Sequence, residues 1–120
     1  MRKIFLIAAG MLAMSVMAAH ADKYAAYAAG KTETGAETHI NSSGALGASQ
    51  QDANSKALHK CTDSQVTCHI VYTFSHGACG YISVGKVGWG TGKTASGALG
   101  QCVSNHGVQC AKPNGGCTTK

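Results

Sequence analysis

The sequence predicts a small disulfide-stapled α+β domain: an antiparallel sheet with two helices, built from a pseudo-duplicated strand–helix–strand unit. Three observations predict it. Six cysteines fall in two sets of three. Each set opens on one phrase, Ala-Leu-x-x-Cys: Ala57-Leu58-His59-Lys60-Cys61 precedes Cys68 and Cys79, and Ala98-Leu99-Gly100-Gln101-Cys102 precedes Cys110 and Cys117. A secretion-type leader stands ahead of both sets, and disulfides persist in exported proteins.

The leader covers residues 1–21. Arg2 and Lys3 form a charged start, an uncharged apolar run extends from Ile4 to Ala18, and Ala19-His20-Ala21 places small residues where a signal peptidase reads. The run is short for a membrane span, which needs roughly 20 apolar residues. Cleavage is therefore expected before Asp22, leaving residues 22–120 as one cysteine-rich domain. The leader does not end in a cysteine, which argues against a lipid anchor. The expected product is soluble, periplasmic or extracellular, with no membrane span after cleavage.

Large core candidates are few, among them Leu58, Val66, Ile70, Phe74 and Ile82, while the chain carries 16 glycines. Each glycine raises the entropy lost on folding, so a light core calls for staples. Six cysteines allow 15 pairings, and sequence alone does not choose among them. The repeat favours two local pairs, Cys61–Cys68 and Cys102–Cys110, with Cys79–Cys117 left to join the two halves. A zinc site is the rival reading, but the spacings are not of the paired C-x-x-C type.

Tyr24–Ala29 reads as a strand closed by Gly30-Lys31. Thr32–Ala48 is rich in Gly, Ser, Thr and Asn and reads as a loop or irregular excursion. Ser49-Gln50-Gln51-Asp52 carries a capping signal, and Ala53, Ala57, Leu58 and Cys61 follow at helical spacing. Cys68–Ser75 is the strongest strand; alternation puts Cys68, Ile70, Tyr72 and Phe74 on one face. Ser75-His76-Gly77-Ala78 is a turn into a second strand, Cys79–Val87, so a hairpin is expected. Gly88-Trp89-Gly90-Thr91-Gly92 reads as a glycine loop around the only tryptophan. Thr94 caps a second helix with Ala98, Leu99 and Cys102 inward. The tail from Ala111 is read as a loop or a final short strand. Ala28-Ala29-Gly30-Lys31 and Ser83-Val84-Gly85-Lys86 hold corresponding places in the two halves, and both helices are expected on one face of one sheet.

The order of these pieces resembles a bacterial family. A leader, an Ala-Leu-x-x-Cys helix, Cys68-His-Ile-Val-Tyr-Thr-Phe, Cys79-Gly-Tyr-Ile-Ser-Val-Gly, a Gly-x-Gly-x-Gly loop and a second Ala-Leu-x-x-Cys make the chain similar to the domain-of-unknown-function 4189 family of small exported proteins. The resemblance runs over the mature chain. It implies a secreted or periplasmic protein and brings no catalytic residues with it. Family members often carry a tryptophan in the first strand, where this chain has Tyr24 and Tyr27.

The five acids of the mature chain, Asp22, Glu33, Glu37, Asp52 and Asp63, form no local acid–base pair. His69 and His76 lie near Cys68 and Cys79, but oxidised thiols do not act as nucleophiles. Gly92-Lys93-Thr94 is similar to the end of a phosphate loop, which requires glycine where Val87 stands. No cofactor and no metal is expected. His39, His59, His69, His76 and His106 read as scattered histidines, and a metal shared by His69 and His76 is the rival reading. Eight lysines, no arginine and five acids give the mature chain a mild positive charge, without the dense basic patch of a nucleic-acid binder. Asn41-Ser42-Ser43 matches a glycosylation acceptor and is read as loop composition.

The functional expectation is a non-enzymatic binding or interaction module whose partner is a protein or an envelope component. Its candidate contact segment is Gly88, Trp89, Gly90, Thr91, Gly92 and Lys93. Trp89 has two readings, a core side chain or an exposed apolar anchor. The alternatives are a small secreted enzyme or toxin acting on envelope or host components, and an inhibitor or immunity-type protein.

Overall fold

The chain alternates hairpin and helix twice. A computed structural model describes residues 22–105 and 107–120, so the leader and His106 lie outside the described residues. The first half contains β1 (Tyr24–Thr34), β2 (Glu37–Gly47), α1 (Gln50–Cys61) and β3 (His69–Ser75). The second contains β4 (Cys79–Val84), β5 (Trp89–Gly92), α2 (Ala95–Ser104) and β6 (Asn114–Cys117). Two three-stranded antiparallel sheets result, ordered β2-β1-β3 and β5-β4-β6. The two orders are one topology: the first strand of each half is central, flanked by the second and third. This corrects the single sheet with both helices on one face; each sheet has its own helix.

β2 replaces the expected irregular excursion. Its polar residues are held in register by 11 residue pairs with β1, from Tyr24↔Gly47 to Thr34↔Glu37, across a two-residue turn in which Gly35 sits at φ 62. Glycine accepts that left-handed backbone without a Cβ clash.

α1 starts as its sequence dictates. The Ser49 hydroxyl accepts the Asp52 N–H at 3.0 Å, and the Asp52 carboxylate accepts the Ala48 N–H at 3.2 Å. The first bond satisfies a donor that every helix leaves open at its first turn, and the second ties the residue before the cap back onto the helix. Ala53, Ala57 and Cys61 are buried and lie against Ala26 and Ala28 of β1, with Val66 and Cys68 completing the core. Facing alanines let the helix approach the sheet closely. α2 is capped by Thr94, whose hydroxyl accepts the Gly97 N–H at 3.0 Å, and buries Ala98 and Cys102.

β3 does not keep one face. The register with β1 moves from Tyr27↔Tyr72 to Ala28↔Ile70, leaving Val71 as a bulge. Ile70 and Cys68 consequently join the helix-side core, while Tyr72 and Phe74 turn to the other face with Tyr27. A bulge adds one residue to one strand only and so breaks the two-residue period; this overturns the single face expected for Cys68–Phe74.

The expected β3–β4 hairpin is also absent. His76 and Gly77 have φ 54 and 86, and the Ala78 N–H returns to the Ser75 carbonyl at 3.1 Å. That turn carries the chain from one sheet to the other. β3 pairs with β1, and β4 is already flanked by β5 and β6.

The three disulfides are Cys61–Cys68, Cys79–Cys117 and Cys102–Cys110, and no cysteine is free. Cys79–Cys117 links the two cysteine sets, but Cys79 opens β4 and so belongs to the second half of the fold, not the first. It ties β4 to β6 within the second sheet, where the two residues face each other in register. The halves are joined instead by the helix-free faces of the two sheets. The Tyr27 phenol donates to the Gly80 carbonyl at 3.0 Å, and a Cβ at Gly80 would run into the Phe74 ring. Lys31 Nζ donates to the Val87 carbonyl at 3.2 Å, and Thr118 binds the turn at Gly77 and Ala78. The layers are thus α1, first sheet, second sheet, α2.

Candidate functional site

The expected contact segment, Gly88 to Lys93, is not a flexible loop. Trp89–Gly92 is β5, and the alternating glycines point at α2. A Cβ at Gly90 would collide with the Cys102 backbone nitrogen, one at Gly88 would come within 3.1 Å of the Asn105 carbonyl, and one at Gly92 within 3.1 Å of the Ala98 nitrogen. The first contact is one that real Cβ atoms do not make, and the other two would require the helix backbone to give by a few tenths of an ångström in a close-packed interior. These glycines are there to let the helix down onto the strand. The period-two spacing of Gly88, Gly90 and Gly92 was the available sequence signal.

Alternation puts the Trp89 and Thr91 side chains on the other side of β5 from these glycines, with the Thr91 hydroxyl still donating to Gln101 of α2 at 3.3 Å. Trp89 is half-buried, neither a sealed core residue nor a fully exposed anchor. It lines a shallow cleft of about 250 Å³ with Lys31, Val87, Gly88 and Asn105. Lys93 is exposed beyond the far end of β5, away from that cleft.

A second cleft, missed by sequence reasoning, opens between the halves. It holds about 280 Å³ and is walled by Tyr27, Leu46 and Phe74 of the first sheet and by Gly115, Gly116 and Cys117 of β6. Its residues come from β1, β2, β3 and β6, so no local sequence motif announces it. Tyr27 is its ionisable wall residue. Burial, with the neighbouring Tyr81 adding to it, pushes the phenol up to about 12, so the group stays neutral at physiological pH and keeps its proton, which it donates to the Gly80 carbonyl.

The expected histidine pair is not brought together. His69 and His76 are both exposed and stand at opposite ends of β3, seven residues apart, roughly 20 Å along a strand. Among the described residues no group of three His, Cys, Asp or Glu side chains is arranged to hold a metal. Asn41 is not a free glycosylation acceptor, because its amide donates to the Cys61 carbonyl at 2.8 Å.

Two of the acids, Asp52 and Asp63, serve local structure. Asp63 accepts the Gln65 and Val66 N–H groups, each at 2.8 Å, and the Thr62 hydroxyl accepts the Cys68 N–H at 3.1 Å. The hydrogen bond to the Asn41 side chain, with those two N–H groups, holds the Asp63 carboxyl below the usual carboxylate range. The Lys56 ammonium, 3.2 Å away, and the Ala48 N–H do the same for Asp52.

No helix among the described residues is long and apolar enough to cross a membrane. No protein-family model matches the chain, and no characterised protein or solved structure matches it. The resemblance to the 4189 family rests on motif order alone.

Proposed function

We propose that the chain is an exported, non-enzymatic binding module whose contact site is the cleft between its two sheets. The observation that carries this reading is the chemistry of that cleft. Its walls are apolar carbon, glycine backbone and a phenol committed to a carbonyl, surfaces that bind a partner and offer no charged acid or base to a reaction. The scaffold is suited to such a role, since Cys79–Cys117 pins the β6 wall to β4 and a preorganised site loses less entropy on binding. The leader, the six oxidised cysteines and the family resemblance support export to a periplasm or the cell exterior. The partner is a protein or an envelope component, and an inhibitor or immunity role would use the same surface.

The test is a two-part titration of the oxidised protein by amide NMR with a panel of apolar fragments and short peptides. Shifts at Ala25, Tyr27, Phe74 and Gly116, with every panel member recovered unchanged in mass, support binding. Chemical conversion of any member would move the secreted-enzyme or toxin reading to the front. A second reading places the contact at Trp89, favoured by its half-buried ring beside Lys31. Emission that is red-shifted and readily quenched by iodide, then protected when a ligand is added, would select that cleft instead.

A further inference from the structure

Among the described residues the two sheets have four edge strands, and three of them are blunted. An edge strand offers unpaired N–H and C=O groups to any passing chain, and natural proteins cover or distort such edges. On β5, Gln101 of α2 accepts the Thr91 N–H at 2.7 Å, and Asn105 donates to the Trp89 carbonyl at 3.0 Å. On β2, Lys60 of α1 donates to the Gly44 carbonyl at 2.8 Å. β3 carries the bulge at Val71, which bends a strand and disrupts pairing. β6 has neither device: among the described residues no side chain hydrogen-bonds to the Asn114–Cys117 backbone, the Cys79–Cys117 disulfide lies off that edge, and the pairing with β4 is regular over all four positions.

The phase of that pairing leaves two residues free. The Thr118 N–H donates to the Ala78 carbonyl at 2.9 Å, which makes Thr118↔Ala78 a hydrogen-bonded pair. Alternation then puts Gly116 and Asn114 in hydrogen-bonded pairs and turns the N–H and C=O of Gly115 and Cys117 outward. Gly116 faces the cleft described above, and nothing lies within 4 Å of where its Cβ would be. The edge is thus open, and an apolar socket lies beside it.

Charge selects the occupant. No Asp or Glu follows Asp63 in the chain, so residues 79–120 carry four lysines and no acid, while residues 22–78 carry four lysines and five acids. Lys112 precedes β6 and Lys120 follows it, both exposed. A second copy pairing antiparallel through β6 would bring Lys112 against the copy's Lys120, and like charges disfavour that arrangement.

We infer that β6 is a strand-addition site for an extended acidic segment of another protein. The proposal rests on the reading of the cleft as a binding site and names its partner class. The segment spans about eight residues, roughly 27 Å when extended. Its backbone pairs with Gly115 and Cys117, one apolar side chain enters the Tyr27–Leu46–Phe74 socket, and flanking acids meet Lys112 and Lys120. Main-chain bonds would supply affinity and the socket specificity, as in other β-augmentation complexes.

The experiment uses the oxidised mature protein and blocked octapeptides with a central Val-Phe-Val, flanked on both sides either by Glu or by Lys. The Glu peptide should bind at least tenfold tighter than the Lys peptide, weaken with added salt, and slow hydrogen exchange at the Gly115 and Cys117 amides. The double variant K112E/K120E changes exposed side chains only and should reverse the preference. Gly116→Leu projects a side chain into open space and should block both peptides with the fold intact by circular dichroism. Equal binding of the two peptides, protection at another strand, self-association through β6, or no binding overturns the proposal. If apolar fragments still shift Tyr27 and Phe74 in those cases, the cleft reading survives without its strand-addition site.

Discussion

The two halves share one topology and differ in what holds it. In the first, β1 and β2 pair over 11 positions, and facing alanines on β1 and α1 bury an apolar core. In the second, β4 pairs with β5 and with β6 over four positions each. Its helix rests on glycine backbone, and two of the three disulfides are spent on it, Cys79–Cys117 and Cys102–Cys110. Equivalent places confirm the correspondence: Tyr24↔Gly47 and Tyr81↔Gly92 open the two ladders, and Ser49 and Thr94 each follow the glycine by two residues as helix caps. The lesson is that covalent links substitute for packing where a strand is too short and too poor in side chains to hold itself.

The largest effect should come from removing that substitute. C79A/C117A opens a loop closed over 38 residues, which the chain-entropy relation values at about 4 kcal/mol. Urea unfolding of the variant should show that loss, against about 2.5 kcal/mol for C61A/C68A, whose separation is seven residues. Equal losses would break the comparison.

Next in size is Gly90→Ala. Its Cβ would meet α2 backbone with no flexible side chain to yield, so a loss of about 3 kcal/mol is expected. Gly100→Ala is the matched control: nothing lies within 4 Å of its Cβ, and replacing a helical glycine should add up to about 1 kcal/mol of stability. A smaller change tests the two caps. Ser49→Ala and Thr94→Ala should each cost about 1 kcal/mol in thermal or urea unfolding.

pH should separate the halves as well. Asp52 and Asp63, both in the first half, have carboxyls held below their ordinary value of 3.8. Their contribution is fully present above that value and is lost as pH falls through the lower, folded-state value. Tyr27 runs the other way: an unfolded phenol ionises near 10 while the folded one waits until about 12, so stability should fall as pH rises through that window. Amide exchange followed below pH 4 should loosen the Cys61–Cys68 loop before the second sheet.

What was legible in the sequence follows from how local the signal is. α1 was readable because its cap, its Asp52 and its alanine spacing all lie within 13 residues. The α+β class and the presence of disulfides were readable from the cysteines and the alternating Cys68–Ser75 run. β2 was not, because its Ser, Thr, Gly and Asn residues take strand form only through their long pairing with β1, and tertiary context overrides weak local preference. The bulge at Val71 leaves no trace in composition, so the second face of β3 stayed hidden. The repeated Ala-Leu-x-x-Cys phrase also misaligns the halves. Counted from the caps, Ala98 corresponds to Ala53, not Ala57, so the phrase in α2 sits one turn earlier than in α1. The inter-sheet cleft draws on four strands and could be found only once they were assembled.

The most direct test of the account is native-state hydrogen exchange, residue by residue, on the oxidised protein and on C79A/C117A. The account predicts that protection falls in β4, β6 and the turn at Gly77, while β1, β2 and α1 exchange as before. An equal loss of protection in both halves, or none in either, would contradict the claim that this disulfide stands in for the packing the second half lacks.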